Sequence, residues 1–245
     1  MAYTFEVAVD SLDSALAAQA CGAQRIELCA DLPSGGLTAS PGLLELVCQR
    51  LHIPVAALIR PRRGDFLYSD AEISVMRRDI EFARQAGASA VVIGCLTADG
   101  SVDCERTGQL IEAAQPLPAV FHRAFDMCRD PFPALETLAG LGIARLLTSG
   151  QAASAEGGAP LIAQLAQRAA GRLTIMPGGG IHAENIRRIA QTTGAREFHF
   201  SGRRQLQSRM MYRNPQLSLG NGDDYARWEA SATRIRAIIS ALTDA

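Results

Sequence analysis

Three ionisable side chains follow an apolar segment near the middle of the chain. The segment "PAVFHRAFD" (118–126) begins as a buried strand would and continues into His122, Arg123 and Asp126. An imidazole, a guanidinium and a carboxylate at one place can move a proton and stabilise a negative charge. We therefore expect this strand to end at the open mouth of a site, with these three residues as candidate catalytic groups.

Two further candidate catalytic residues lie on other predicted strands. Glu27 is on the inward side of the second strand, and Arg60 ends the third. Buried charges are tolerated when they are paired, so a structural Glu27–Arg60 ion pair is the alternative. A position at the carboxyl end of a barrel strand favours function. His199 on the eighth strand is equally compatible with a core role, and Glu6 and Glu197, early in their strands, are expected to be structural.

A glycine-rich segment indicates anion binding. In "TIMPGGGIHAENI" a predicted strand runs into Gly178, Gly179 and Gly180, ahead of a predicted helix. Glycines let the backbone approach a ligand, and free N–H groups attract anions. Ser201 and Gly202 follow the eighth strand, and the loops after strands seven and eight of α/β barrels commonly bind phosphate. A tight turn without a ligand is the alternative.

The elements that position these residues alternate along the chain. Eight β-rich segments are each followed by a helical pattern, which predicts a single (β/α)8 TIM barrel over residues 1–245, with eight parallel strands inside a ring of helices. The predicted strands are Phe5–Val9, Arg25–Cys29, Val55–Arg60, Ala90–Gly94, Ala119–Arg123, Arg145–Ser149, Thr174–Pro177 and Glu197–Ser201. A long connection over about 201–224 precedes the last helix, and long loops are often functional.

Composition excludes several classes of protein. The 245 residues are 48% hydrophobic and 20% charged, with a formal net charge of −1. This balance argues against nucleic-acid and membrane partners, and no apolar run reaches the roughly 18 residues of a membrane span. All 24 basic residues are arginine, which excludes an internal lysine Schiff base. Six cysteines without framework spacing, and no signal-peptide pattern, favour a reduced protein in the cytoplasm.

One cysteine is a candidate metal ligand. Cys29 takes an inward position on the second strand near the mouth, with Cys95 and Cys128 as companions across the rim. Thiolate and thioether groups suit Cu(I), and Met210–Met211 in the long connection would add thioethers. A buried cysteine that acts as a small apolar side chain is the alternative.

Several long phrases resemble one known family. "RIELCADLPSGGLTAS", "IRPRRGDFLYSD", "FHRAFDMCRDP", "RLLTSG", "MPGGGI" and "EFHFSG" are similar, in this order, to the CutC family, which is associated with copper homeostasis. The resemblance covers nearly the whole chain. It implies a TIM barrel, a cytoplasmic location, a homo-oligomer (a dimer as the first expectation), Cu(I) as a ligand and no organic cofactor.

The resemblance also marks a departure from the family. Cu(I) binding there is attributed to two cysteines, of which the second corresponds to Cys29, whereas the first corresponds to Ala8 in this chain. Two hypotheses follow. One is a copper-handling protein that binds Cu(I) at Cys29. The other is an enzyme that acts on a small anionic or phosphorylated metabolite by acid–base chemistry, with a divalent metal bound by Glu27 and His122 or His199 as its variant.

Overall fold

Eight parallel strands form the inner wall of the protein. The computed structural model describes residues 3–219 and 223–243. The strands are β1 (Thr4–Val9), β2 (Arg25–Leu28), β3 (Val55–Leu58), β4 (Ala90–Ile93), β5 (Ala119–Phe121), β6 (Arg145–Thr148), β7 (Thr174–Pro177) and β8 (Glu197–Phe200). Each pairs with its neighbours in the order β7-β6-β5-β4-β3-β2-β1-β8, and a parallel bridge from Gly178 to His199 joins the two ends. The predicted (β/α)8 barrel is confirmed.

Helices surround this wall. They are α1 (Leu12–Ala20), α2 (Pro41–Arg50), α3 (Asp70–Ala86), α4 (Cys104–Ala114), α5 (Pro131–Gly140), α6 (Ala159–Ala169), α7 (Ile186–Thr193) and α8 (Ala232–Thr243). The sequence specifies their starts: Ser69 and Glu72 form a capping box at α3, and Asp130 caps α5 ahead of Pro131. In the described residues no helix is both long and apolar enough to cross a membrane.

The core divides into two layers because strand side chains alternate between the faces of the barrel wall. Side chains such as Phe5, Ile26 and Phe198 pack against the helices. A smaller apolar cluster fills the barrel interior, and it consists of Cys29, Ala56, Leu58, Ala90, Val92 and Val120. The two layers give the barrel a closed middle, so a ligand has access from the strand ends.

Strand five is shorter than predicted. It ends at Phe121, and a 3₁₀ turn over Arg123–Met127 follows, with His122 as its N-cap. The side chain of His122 accepts a hydrogen bond from the backbone N–H of Ala124 at 3.1 Å. This turn, and not strand alternation, lets both His122 and Arg123 reach the mouth. Strands two, three, four, six and eight also end one or two residues before their predicted limits.

The connection after β8 is more regular than the loop expected over 201–224. It contains a two-stranded antiparallel ribbon of β9 (Arg203–Gln207) and β10 (Ala226–Ala230). The ribbon is tied to α1, because the backbone N–H of Ala230 donates to the Ser14 hydroxyl at 3.0 Å. Residues 220–222 of this connection, like the ends of the chain, lie outside the described residues. The ribbon places Arg203 beside the carboxyl ends of the strands.

Candidate functional site

A cavity of about 290 Å³ opens at the carboxyl ends of the barrel strands. Several predicted residues line it: Glu27, Arg60, His122, Arg123, Gly179, Gly180 and Ser201. His199, Arg203 and Phe66 line it too. Of the remaining predicted residues, Cys29, Asp126, Gly178 and Gly202 are not part of its lining. The predicted residues that line this cavity therefore come from the ends of five different strands.

A carboxylate–imidazole–carboxylate series forms the floor of the cavity. Glu6 Oε1 lies 2.8 Å from Nδ1 of His199, and Nε2 of the same ring lies 3.8 Å from Glu27 Oε2. Burial alone would raise the pKa of Glu6, but the hydrogen bond and charge of His199, together with Arg25, lower it to about 2. Burial would lower the pKa of His199, but Glu27 and Glu6 raise it. Both shifts favour the charged forms of Glu6 and His199.

The floor continues into the barrel as a series of charges that alternate in sign. Glu6 also pairs with the guanidinium of Arg25, which in turn donates to Glu197 at 2.7 Å. Arg145 donates to the same Glu197 oxygen at 2.7 Å. Each buried charge here has an opposite charge as its neighbour, as buried ions require. The expectation that Glu6 and Glu197 are structural agrees with this arrangement.

Glu27 differs from the other carboxylates of the floor. Among the described residues no hydrogen bond to its side chain occurs, and His199 at 3.8 Å is its nearest ionic partner. Burial raises the pKa of its carboxyl to about 7, and Glu6 adds to the rise against the opposing charges of His199 and Arg25. A carboxyl that titrates near neutral pH and faces a cavity can accept or donate a proton.

Arg60 does not pair with Glu27, contrary to the structural alternative. Its guanidinium donates to the backbone carbonyls of Ser34, Gly36 and Gly64 at 3.0–3.2 Å. No carboxylate within the described residues forms an ion pair with it, and its Nε has no hydrogen-bond partner although the residue is only 7% exposed. The cavity therefore holds a buried cation whose charge the protein does not neutralise.

His122 is a neutral imidazole with one free nitrogen. Burial and the neighbouring charge of Arg60 lower its pKa to about 3. Since Nδ1 accepts from Ala124, the proton belongs on Nε2, which is buried and has no acceptor. His122 thus lines the cavity with a neutral ring whose unpartnered nitrogen is a donor and not a base.

Asp126 organises the rim and does not line the cavity. Its oxygens accept from Nε of Arg123 at 2.7 Å, from the Thr148 hydroxyl at 2.5 Å and from the N–H groups of Ser149 and Gln151. Such a saturated carboxylate has no capacity left for proton transfer. Asp126 is better described as a positioning residue for Arg123 and the loop after β6 than as a catalytic group.

The glycine segment places its backbone against Arg123. Gly179 and Gly180 have φ of +97° and +72°, and a Cβ at Gly179 would lie 3.3 Å from the Arg123 guanidinium. The helix that follows, α7, starts only at Ile186, so these two glycines belong to the loop and not to a helix end. Gly178 instead leaves room for Leu147 and His199.

Two residues that line the cavity were not among the site residues predicted from the sequence. Phe66, in the loop after β3, has its ring 5.0 Å from Arg60 Cζ and 4.9 Å from the His122 ring. Arg203 has a buried Nη1 without a partner and stacks on Trp228 at 4.8 Å. The only signal in the sequence was proximity to strand ends, which is too common to single out either residue.

Cys29 lies in the apolar interior of the barrel and not in the lining of the cavity. Its side chain is 0% exposed within the apolar interior cluster, and its thiol donates to the Val9 carbonyl at 3.5 Å. Burial, with the nearby charge of Glu27, raises the pKa of this thiol far above its ordinary value. Cys95 and Cys128 belong to the helix-side layer. The one His, Cys, Asp and Glu cluster with metal-ligand spacing in the described residues is Glu6, Glu27 and His199, which contains no thiol.

The chain matches known proteins over most of its length. A family model described as "CutC family" matches residues 3–204. A family protein CutC from Chromobacterium violaceum is 50% identical over 242 residues, which cover 98% of either chain. The copper homeostasis protein cutC homolog from Homo sapiens is 48% identical over 239 residues, which cover 96% of this chain and 88% of the human one.

Solved structures share the same architecture. The CutC from Streptococcus agalactiae superposes with a TM-score of 0.78 at 36% identity, and the match covers 81% of this chain and 98% of that one. Phosphoribosyl anthranilate isomerase from Thermotoga maritima superposes with a TM-score of 0.60 at 11% identity over 100% of both chains. The second likeness is one of fold alone.

Proposed function

The chain belongs to the CutC family, and we propose that it is an enzyme which binds a small anionic metabolite at the barrel mouth and moves a proton there. The observation that carries this proposal is the set of buried donors without a partner among the described residues, on side chains of residues that line one cavity. They are Nε of Arg60, Nε2 of His122 and Nη1 of Arg203. Buried donors in native proteins nearly always have partners, so a ligand rich in acceptors is expected here.

The charge of the cavity specifies the sign of that ligand. Arg60 and Arg203 have no carboxylate partner among the described residues, whereas Arg123 is paired with Asp126. Glu27 carries only part of a negative charge near pH 7. An anion, and above all a phosphate group between the Gly179–Gly180 loop, Ser201 and Arg203, would compensate the excess positive charge.

Proton transfer is assigned to Glu27. It faces the cavity, it lacks a hydrogen bond, and its pKa is raised to about 7. His199 supports it from below, because the imidazolium that Glu6 stabilises favours the ionised form of Glu27. A general base is most effective when its pKa lies near the working pH. No lysine is present for covalent chemistry with a carbonyl.

Titration with inorganic phosphate, monitored by calorimetry and by ³¹P NMR, tests anion binding. We expect saturable binding that weakens at least about tenfold in Arg203→Gln, because a charge-assisted hydrogen bond contributes roughly 1.5–3 kcal/mol. Arg204→Gln is the matched control, since Arg204 lies on the same ribbon but is exposed and pairs with Glu229. Equal weakening in both variants, or no saturable binding, contradicts the proposal.

Copper handling is the second candidate function, and it is favoured by the name of the human relative, a copper homeostasis protein homolog. Cu(I) is a cargo in that case, and binding would require the buried Cys29 thiol to be exposed and deprotonated. We expect a titration of the reduced protein against a chromophoric Cu(I) competitor to give the same result for Cys29→Ser and for the wild type. Cys104→Ser, at an exposed thiol, is the control. Tight one-to-one binding that disappears in Cys29→Ser alone would establish copper as the ligand.

We also propose a cellular compartment and an oligomeric state. All six cysteines are free, which supports a reducing compartment such as the cytoplasm. Large exposed apolar side chains at Met210, Met211, Tyr212 and Leu219 support the homo-oligomer that the family resemblance implies. Fractionation of the source cells and sedimentation velocity test these two statements.

A further inference from the structure

One wall of the cavity is built around the ring of Phe66. Arg60 lies over this ring with Cζ 5.0 Å from its centroid, and the His122 ring lies 4.9 Å from it at 49°. The ring fixes the planes of the guanidinium and the imidazole, which both face the same space. Leu32 and Leu58 complete the wall, so that polar contacts with a ligand here are limited to Arg60 and His122.

The structure makes room for His122 at a specific place. A Cβ at Gly94 would overlap the His122 ring, so only glycine allows the imidazole to occupy its position. Its Nδ1 is held by the N–H of Ala124, which directs the Nε2–H away from the turn. Only 6% of the surface of His122 is exposed, yet this N–H has no acceptor among the described residues. An unpartnered donor on a residue that lines a cavity is suited to an acceptor from a bound molecule.

The second donor of this wall is Nε of Arg60. The three backbone carbonyls occupy the terminal nitrogens of the guanidinium and leave Nε free. A neutral imidazole N–H beside an uncompensated guanidinium is suited to an oxygen that gains negative charge during a reaction. It differs from the side of the cavity that Gly179, Gly180 and Arg203 line.

We propose that the Arg60–His122 wall binds the carbonyl oxygen of the substrate, and that the substrate class is a small phosphorylated hydroxyaldehyde or hydroxyketone which the enzyme enolises. This inference rests on the proposed function, because it needs the phosphate at the Gly179–Arg203 side and Glu27 as the base. The cavity of about 290 Å³ accommodates a short chain that joins the two oxygen-rich ends.

The reaction balances without a cofactor or an oxidant. The Glu27 carboxylate takes a proton from the carbon next to the carbonyl, and the electron pair of that C–H bond forms a C=C bond. The carbonyl π pair moves onto oxygen, where the Nε2–H of His122 and the Nε–H of Arg60 stabilise the negative charge. Glu27 then returns the proton to either carbon while a hydroxyl proton passes between the two oxygens. The product is the substrate or its aldose–ketose isomer.

A neutral imidazole is the appropriate donor for this step. Its N–H is a weaker acid than that of an imidazolium and so matches an enediolate more closely; triosephosphate isomerase, an established example, combines a neutral histidine with a glutamate base. The buried cation of Arg60 keeps His122 unprotonated. The arrangement therefore polarises a carbonyl without transferring the imidazole proton to solvent.

The test compares two probes, methyl phosphate and 2-phosphoglycolohydroxamate, which adds an enediolate-like group to a phosphate. We expect the hydroxamate to bind the wild type at least about tenfold more tightly, and we expect this advantage to disappear in His122→Phe while methyl phosphate affinity is unchanged. Phenylalanine preserves the ring packing against Phe66. His52→Phe, at an exposed histidine, should keep the advantage.

The outcomes separate the two proposals. If methyl phosphate binds but the hydroxamate has no advantage, or keeps its advantage in His122→Phe, the carbonyl subsite is wrong and the anion site stands. If neither probe binds, the proposed function fails as well. If His122→Phe does not fold, Arg60→Met provides the same comparison.

The role of Glu27 has its own measurement. Dihydroxyacetone phosphate in D₂O should take up deuterium at the carbon next to the carbonyl with the wild type. Glu27→Gln should abolish this uptake while hydroxamate binding persists. Hydroxamate binding with no deuterium uptake by the wild type would overturn the assignment of Glu27 as the base.

Discussion

The floor and the mouth of the barrel treat charge in opposite ways. In the floor, Arg145, Glu197, Arg25, Glu6 and His199 alternate in sign, and each makes a contact of 2.8 Å or less with an opposite charge. At the mouth the guanidinium of Arg60 is just as buried, but its contacts are backbone carbonyls. Both regions belong to the same polar interior and are built from similar residue types.

This difference separates groups that hold the barrel together from groups that await a ligand. A buried charge with a complete set of partners stabilises the fold or at least costs it little, and its removal leaves the partner uncompensated. A buried charge without a counter-charge is unfavourable in the free protein, so a ligand must contribute the missing interaction. Glu27 lies at the boundary, since its single ionic neighbour, His199, is 3.8 Å away.

The strongest test of the comparison is Arg25→Met. Removal of this guanidinium leaves Glu6 and Glu197 without their shared partner in a buried site, so we expect the free energy of unfolding to fall by about 3–5 kcal/mol. Urea unfolding followed by circular dichroism measures the change. Arg78→Met, at an exposed arginine of α3, should change it by less than about 0.5 kcal/mol. A loss of the same small size in Arg25→Met would mean that the floor is not structural.

Glu27→Gln sharpens the boundary between the two regions. In the folded protein its pKa is raised to about 7, beside His199, Glu6 and Arg25, whereas the unfolded carboxyl titrates near 4.5. The folded state therefore binds more protons between these two values, and the wild type loses stability as pH rises through this window. Between pH 5 and pH 8 we expect the free energy of unfolding of the variant to rise by about 2–3 kcal/mol relative to that of the wild type.

Urea unfolding at both pH values measures this gain. Gln109→Glu, at an exposed position on α4, is the control for a change of one carboxyl group. The stability of this control variant relative to the wild type should vary little with pH. A difference between Glu27→Gln and the wild type that is independent of pH would show that Glu27 titrates normally. In that case Glu27 belongs with the compensated floor and not with the reactive mouth.

The barrel itself was predictable because its signals are local and repeated. Alternating apolar positions in strands such as Thr174–Pro177, and caps such as Ser69 and Asp130, each depend on a few neighbouring residues. Position at strand ends then indicated Glu27, Arg60 and His122 as neighbours of one cavity. Those inferences needed only the fold class and knowledge of which alternate residues of each strand face the barrel interior.

The roles of the residues depended on contacts that sequence spacing does not encode. Glu27–Arg60 was the obvious ion pair, but the carbonyls of the loop around Gly36 bind Arg60 instead. The sequence marks Asp126 only as a candidate catalytic group, whereas in the structure donors from the rim bind both of its carboxylate oxygens. The sequence is equally compatible with a core and a functional role for His199, and its pairing with Glu6, 193 residues away along the chain, distinguishes them. Long-range partners decide which charges remain free.

His122→Phe tests the mouth through its pH dependence. The pKa of His122 is lowered to about 3 in the folded protein, whereas an unfolded histidine titrates near 6.5. Below pH 6.5 the unfolded state binds a proton that the folded state cannot, so this group makes the wild type lose stability as pH falls toward 3. The variant lacks this loss. As the pH falls from 7 to 5, its free energy of unfolding should therefore rise by about 2 kcal/mol relative to that of the wild type. Thermal unfolding at the two pH values, beside His52→Phe, measures the gain; no gain would mean that His122 is protonated in the fold.

The smallest expected effect on stability, and the most informative beside Arg25→Met, is that of Arg60→Met. The variant loses three hydrogen bonds to carbonyls, but it also removes a cation that is buried without a counter-charge, and the two contributions oppose each other. We therefore expect the free energy of unfolding to change by about 1 kcal/mol or less, while the advantage of the hydroxamate probe disappears. The two arginines have almost the same burial, 7% exposure for each residue, so burial cannot account for a difference between the variants. A loss near that of Arg25→Met would make Arg60 a second structural arginine, and the distinction between a compensated floor and an open mouth would fail at the residue on which it depends most.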